Sequence, residues 1–103
     1  MTDGRINYST KLAVLIRAMR SAAWLNQGEL SIAANCSRPT VNRIESINKA
    51  SPTANTIDDL FHVFRQMGAE IYLNDEDVSV KFTKEFLLGI QDRVIKGGKS
   101  DAN

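Results

Sequence analysis

Cysteine and histidine are almost missing from this 103-residue chain, which carries one of each, Cys36 and His62, and it has a single tryptophan and only two prolines. A lone cysteine cannot close an intramolecular disulfide, and one cysteine with one histidine makes no zinc cluster, so no metal is expected and Cys36 reads as a buried structural thiol. No paired-carboxylate or Ser/His constellation surrounds the one histidine, so neither an enzyme nor a cofactor site is expected. No apolar run approaches the roughly 20 residues of a membrane span. The opening "MTDGRINYSTK" lacks the charged and apolar regions of a signal peptide. The expectation is a soluble cytoplasmic protein with no membrane partner. The chain contains no internal repeat, and an apolar content of 43% is enough for one small core.

An excess of either charge is also missing, with a net of +1, but that total conceals a division along the chain. Residues 1–55 hold seven Lys/Arg against three Asp/Glu, and residues 56–103 hold six against nine. Neutralising phosphates needs only a local positive face, so the small net charge does not exclude nucleic acid.

Residues 1–9 show no clear period and are expected to form a flexible arm, in which Arg5 offers a minor-groove contact. From a cap at Ser9 or Thr10, Leu12, Leu15, Ile16 and Met19 recur at helical spacing and predict a helix to about Ala23. Trp24, Met19, Phe64 and Met67 read as core. Asn26 is placed to cap a short helix over 27–34 with Leu30, Ala33 and Ala34 inward. Asn35 tolerates the left-handed conformation of a sharp turn. Ser37 then caps a helix whose proline, Pro39, falls in the first turn, where a missing N–H costs nothing. Its inward side is Val41, Ile44 and Ile47. Thr56 is expected to start a fourth helix, with Asp58 and Asp59 in its first turn against the helix dipole. Ile57, Leu60, Phe61, Phe64 and Met67 form its apolar stripe, and Gly68 stops it. Past Gly68 the period changes to two: Ile71 and Leu73, then Val78, Val80 and Phe82 beyond "DED", predict a hairpin. Residues 83–96 read as a helix with Phe86, Leu87, Ile90 and Val94 on one side, and 97–103 as a disordered tail.

The fold class expected is therefore mostly α: a four-helix helix-turn-helix core over about 10–68, then a β-hairpin and a C-terminal helix. Two short helices joined by a tight turn, the second polar on its outward face, suit entry of that helix into a DNA major groove. Arginine bonds guanine through two atoms, asparagine does so with adenine, and a threonine methyl touches thymine. Arg38, Thr40, Asn42 and Arg43 supply those groups.

"LNQGELSIAANCSRPTVNRIES" resembles the helix-turn-helix of the lambda-repressor/Cro-like (Xre) family of DNA-binding regulators, over about residues 11–68. The family pattern of Gln, Leu, a small residue, an apolar residue, Ile and Glu is met by Gln27, Leu30, Ala34, Cys36, Ile44 and Glu45. Ser31 stands where alanine is usual and Asn35 where glycine is usual, and Pro39 is an unusual recognition-helix residue. The resemblance implies a double-stranded DNA operator as partner. Phosphate contacts would come from Asn26, Gln27 and Ser37, with Arg17 and Lys49 flanking, and base readout from Arg38, Pro39, Thr40, Asn42 and Arg43. It also implies a structural salt bridge between Arg20 and Glu45.

A two-stranded hairpin is marginal alone, and the last helix exceeds what a minimal four-helix core requires. Both point to a homodimer, with Ile71, Leu73, Val78, Val80, Phe82, Phe86, Leu87 and Ile90 as dimerisation residues. A strand after the helical core also resembles HipB-type antitoxins. The expected function is a dimeric, autoregulatory transcriptional repressor on an inverted repeat. The alternative is an antitoxin that neutralises a partner toxin protein and autoregulates its operon.

Overall fold

The computed structural model describes residues 4–47 and 52–97. The chain is mostly helical, with a two-stranded hairpin near its C-terminal end. In order it forms α1 (Tyr8–Ala22), α2 (Gln27–Ala34), α3 (Arg38–Glu45), α4 (Ala54–Met67), β1 (Ala69–Leu73), β2 (Val78–Phe82) and α5 (Lys84–Gln91), which runs on as a π-helical turn, Asp92–Gly97.

α1 begins one to two residues before the expected caps. Asn7 stands at its start and caps it through its backbone, its carbonyl accepting from the N–H groups of Thr10 and Lys11. Leu12, Leu15, Ile16 and Met19 turn inward as their spacing dictates, where they meet Leu30, Val41, Leu60 and Phe64 in one core. Each such side chain taken out of water contributes roughly 1.5–3 kcal/mol before chain entropy is counted. α4 starts earlier than Thr56. The Thr53 hydroxyl accepts the Thr56 N–H at 3.2 Å, so Thr56 lies inside the first turn and Asp58 and Asp59 fall beyond it. The dipole role expected for those two aspartates therefore does not hold.

Gly68 joins the helical part to the rest. It ends α4 at φ +106°, and a side chain there would lie 2.7 Å from the Phe86 nitrogen and 2.9 Å from Thr83 Oγ1. The hairpin is antiparallel, pairing Ala69 with Phe82, Ile71 with Val80 and Leu73 with Val78. Asn74 and Asp77 close its acidic turn through backbone and side-chain hydrogen bonds. Thr83 folds the chain back by donating both its N–H and its hydroxyl to the Gly68 carbonyl, at 3.2 and 2.6 Å. Phe86 is thereby buried, its ring centroid 4.6 Å from that of Phe82.

Four expected core positions differ. Trp24 is 62% exposed and sits at φ +57°, because the chain turns from α1 to α2 in a left-handed step that swings its ring outward. Ile47 is exposed, also at positive φ, one residue past the α3 cap. Ala33 is exposed and Ser31 takes the buried place beside Leu30 and Ala34, its hydroxyl donating to the Gly28 carbonyl at 2.7 Å. Cys36 is only half-buried at the core edge, and burial, with the nearby Asp59 charge, pushes its thiol pKa up. Among the described residues no helix is long and apolar enough to cross a membrane, and no group of three or more His, Cys, Asp or Glu is placed to hold a metal ion. Lys49, offered for a flanking phosphate, and the tail from residue 98 lie outside the described residues.

Candidate nucleic-acid interface

The α2–α3 unit is set by three local signals. Asn26 and Glu29 form a reciprocal capping box: the Asn26 side-chain Oδ1 accepts the Glu29 N–H at 2.7 Å, and the Glu29 carboxylate accepts the Asn26 N–H at 2.8 Å. Asn35 closes α2 in the left-handed region, φ 57° and ψ 45°, a conformation asparagine holds more cheaply than most residues. Ser37 caps α3, accepting the Thr40 N–H at 3.2 Å, and Pro39 falls in the first turn without losing a helical bond.

α3 is anchored from beneath by Val41 and Ile44, both buried. Its third inward residue is charged: Glu45 is only 5% exposed. Arg20, on α1, grips it with two parallel bonds, Nε to Oε2 at 2.6 Å and Nη2 to Oε1 at 2.8 Å, and donates a third to the Leu25 carbonyl at 3.1 Å. Gln27 donates to the same Glu45 Oε1 at 3.1 Å and accepts a long 3.5 Å bond from the Asn42 amide. One carboxylate thus ties α1, α2 and α3 together. Burial acts to raise the Glu45 pKa, but hydrogen bonds from Arg20 and Gln27 and the charges of Arg20 and Arg17 outweigh it and hold the pKa below its ordinary value. The hydrogen bond to Glu45 correspondingly raises the pKa of Arg20.

The opposite face of α3 is polar. Arg38, Pro39, Asn42 and Arg43 are exposed, and among the described residues neither Arg38 nor Arg43 forms an ion pair. Thr40 is half-buried with its hydroxyl 2.7 Å from that of Ser37, so this oxygen is committed to the cap and the methyl remains for an apolar contact. The candidate readout residues therefore share one helix face, with Thr40 at its margin.

The candidate phosphate residues are less uniform. Arg17 is exposed on α1. Asn26 and Ser37 both spend side-chain oxygens on caps, and Glu29 sets a carboxylate at the start of α2, where a phosphate would compete with it for the helix dipole. Gln27 is half-buried within the Glu45 network. Its spacing of 18 residues from Glu45 is beyond any local pattern, so that role was not readable along the chain. Arg5 lines a hollow with Lys11, Asp75 and Glu76, which puts its charge among the carboxylates of the hairpin turn.

Of the candidate dimerisation residues, Ile71, Leu73, Val78, Val80, Phe82 and Ile90 are partly buried against the chain's own core and Phe86 is fully buried. α1 lies against β2, and Lys11 donates to the Asn74 carbonyl at 2.6 Å. The hairpin thus finds within its own chain the apolar support it was expected to seek outside. Of these eight residues only Leu87 is largely exposed, at 58%.

No known protein family matches this chain, and no curated protein or solved structure is significantly similar to it.

Proposed function

We propose that this chain is a sequence-specific, double-stranded-DNA-binding transcriptional repressor of the Xre type. It acts in the cytoplasm as a homodimer on an inverted-repeat operator and regulates its own operon. The observation that carries this reading is the exposed face of α3. Arg38, Asn42 and Arg43 are exposed there, the two arginines without an ion-pair partner among the described residues, on a helix held from below by Val41, Ile44 and a buried Arg20–Glu45 pair. An exposed arginine and asparagine row on a rigidly seated short helix suits bidentate contacts to guanine and adenine edges. The basic N-terminal half of the chain contains this face, and the acidic half lies in the remainder.

In this mechanism the α3 side chains enter the major groove, and Arg17 meets a flanking phosphate. A two-fold dimer holds two copies of α3 about 34 Å apart, one helical turn of DNA, so the operator is a near-palindrome. Occupying a site that overlaps a promoter blocks transcription. DNase footprinting of the region upstream of the gene tests this. The expected result is one protected stretch containing an inverted repeat, and the absence of any protected site there at physiological salt overturns the reading.

A further inference from the structure

A cluster of exposed apolar side chains lies away from α3, on α5 and the turn before α2. Trp24, Leu87, Leu88 and Ile95 are each at least 52% exposed there. α5 and its π-helical end form a ridge between two hollows. One, of about 500 Å³, is walled by Trp24, Ala22, Phe82 and Phe86 together with Leu87 and Ile90. The other, of about 470 Å³, has Leu88, Gly89 and Ile95 in its wall.

We propose that a second copy of this chain docks on this face, the α5 ridge of each copy seating in a hollow of the other. The proposal rests on the homodimer part of the reading above and narrows its surface: it keeps Phe82, Phe86, Leu87 and Ile90 of the residues expected from sequence and adds Trp24, Leu88 and Ile95. The residues outside the described structure are poorly suited to fill the hollows: 1–3, 48–51 and 98–103 contain no apolar side chain larger than alanine except Met1. A ridge flanked by hollows is self-complementary under a two-fold axis, as an isologous interface requires. Gly89 points the same way. A Cβ there would meet nothing within 4 Å, so no contact inside the chain demands glycine, yet glycine inside a helix costs about 1 kcal/mol relative to alanine. A bare backbone at that spot admits a closely packed neighbouring helix. Residues 84–97 carry Lys84, Arg93 and Lys96 against Glu85 and Asp92, too small an excess of charge to favour nucleic acid or an anionic lipid surface. Arg93 also donates to the Ala23 carbonyl, so the ridge is tied to the turn that leads into α2, and pairing here bears on the segment that precedes the DNA-facing unit.

The test is sedimentation of the full chain, wild type beside Leu88→Glu and Trp24→Gly, with gel shifts on a full inverted repeat and on a half-site. Trp24→Gly removes the wall while relieving a positive-φ residue, so it threatens the fold least. Wild type is expected to dimerise. Each variant should weaken dimerisation about tenfold or more, as central interface residues do, with an unchanged circular dichroism spectrum. Affinity for the full repeat should fall and half-site affinity should hold. Variants that dimerise like wild type, or a wild-type chain that stays monomeric, overturn the proposal even if operator binding is specific. Dimers that dissociate as expected yet show no sequence preference support the surface and count against the repressor reading alone.

Discussion

α3 and α5 are both eight residues long and both start on a hydroxyl cap, Ser37 in one and Thr83 in the other. They turn opposite chemistries outward. α3 shows arginine, asparagine and proline to solvent, and α5 shows leucine. The two are also held differently. α3 rests on two apolar side chains and a buried ion pair, whereas α5 rests on Phe86 alone with Ile90 partly covered. Equal length and capping thus say little about purpose. What a short helix does is told by the face its core does not consume. An arginine row on a firmly seated helix suits a fixed pattern of hydrogen bonds, and a leucine row on a lightly seated one suits a non-directional partner that completes its burial.

The largest expected effect tests the seating of α3. Arg20→Ala leaves the buried Glu45 carboxylate with Gln27 as its remaining hydrogen-bond donor among the described residues and the charge of Arg17 nearby. It should cost about 3 kcal/mol of stability in urea unfolding, at the low end for breaking a buried pair. A loss under 1 kcal/mol would show α3 to be held by Val41 and Ile44 alone. The same pair has a pH signature. The folded-state pKa of Glu45 lies below its ordinary value of 4.5, so its contribution is complete above 4.5 and is lost as pH falls through the depressed folded value. Wild type should lose stability across that acid range, and Glu45→Gln should flatten the loss. A variant profile parallel to wild type would remove Glu45 from the account.

Gly68→Ala probes the joint between the two regions, because it combines positive φ with a 2.7 Å approach to the Phe86 backbone. About 2 kcal/mol should be lost, and the lost packing should centre on Phe86 in α5, with the α3 region less affected. Hydrogen exchange of the two helices in this variant reads that difference. Equal loosening of α3 and α5 would show that the two regions do not separate at Gly68.

How much of this was legible in the sequence differs between the same two regions. α2 keeps its expected bounds because Asn26, Glu29 and Asn35 act within one turn of the backbone they cap. Pro39 disclosed its place for the same reason. The start of α4 was misplaced because Thr53 and Thr56 are both competent caps and sit three residues apart, with their hydroxyls 3.0 Å from each other. Trp24 was read as core from its residue type, but its backbone leaves the helix in a left-handed step that residue type does not record. The hairpin residues were identified as apolar, but their partial burial against the chain's own core was not foreseen. Whether Ile71 and Val80 meet the chain's own core or another molecule depends on how α1 lies across β2, a contact made far along the chain. Leu88 and Ile95 escaped notice because they lie off the stripe of Phe86, Ile90 and Val94.

The claim on which the rest depends is that the exposed side of α3 reads bases. A gel-shift titration of wild type, Arg43→Ala and Arg17→Ala against a panel of single-base operator variants tests it most directly. Arg43→Ala should lose about 1–3 kcal/mol and become indifferent to one base pair, whereas Arg17→Ala should weaken all variants alike and lower the salt dependence by about one phosphate contact. Uniform weakening by both substitutions, with discrimination intact at every operator position, would contradict it.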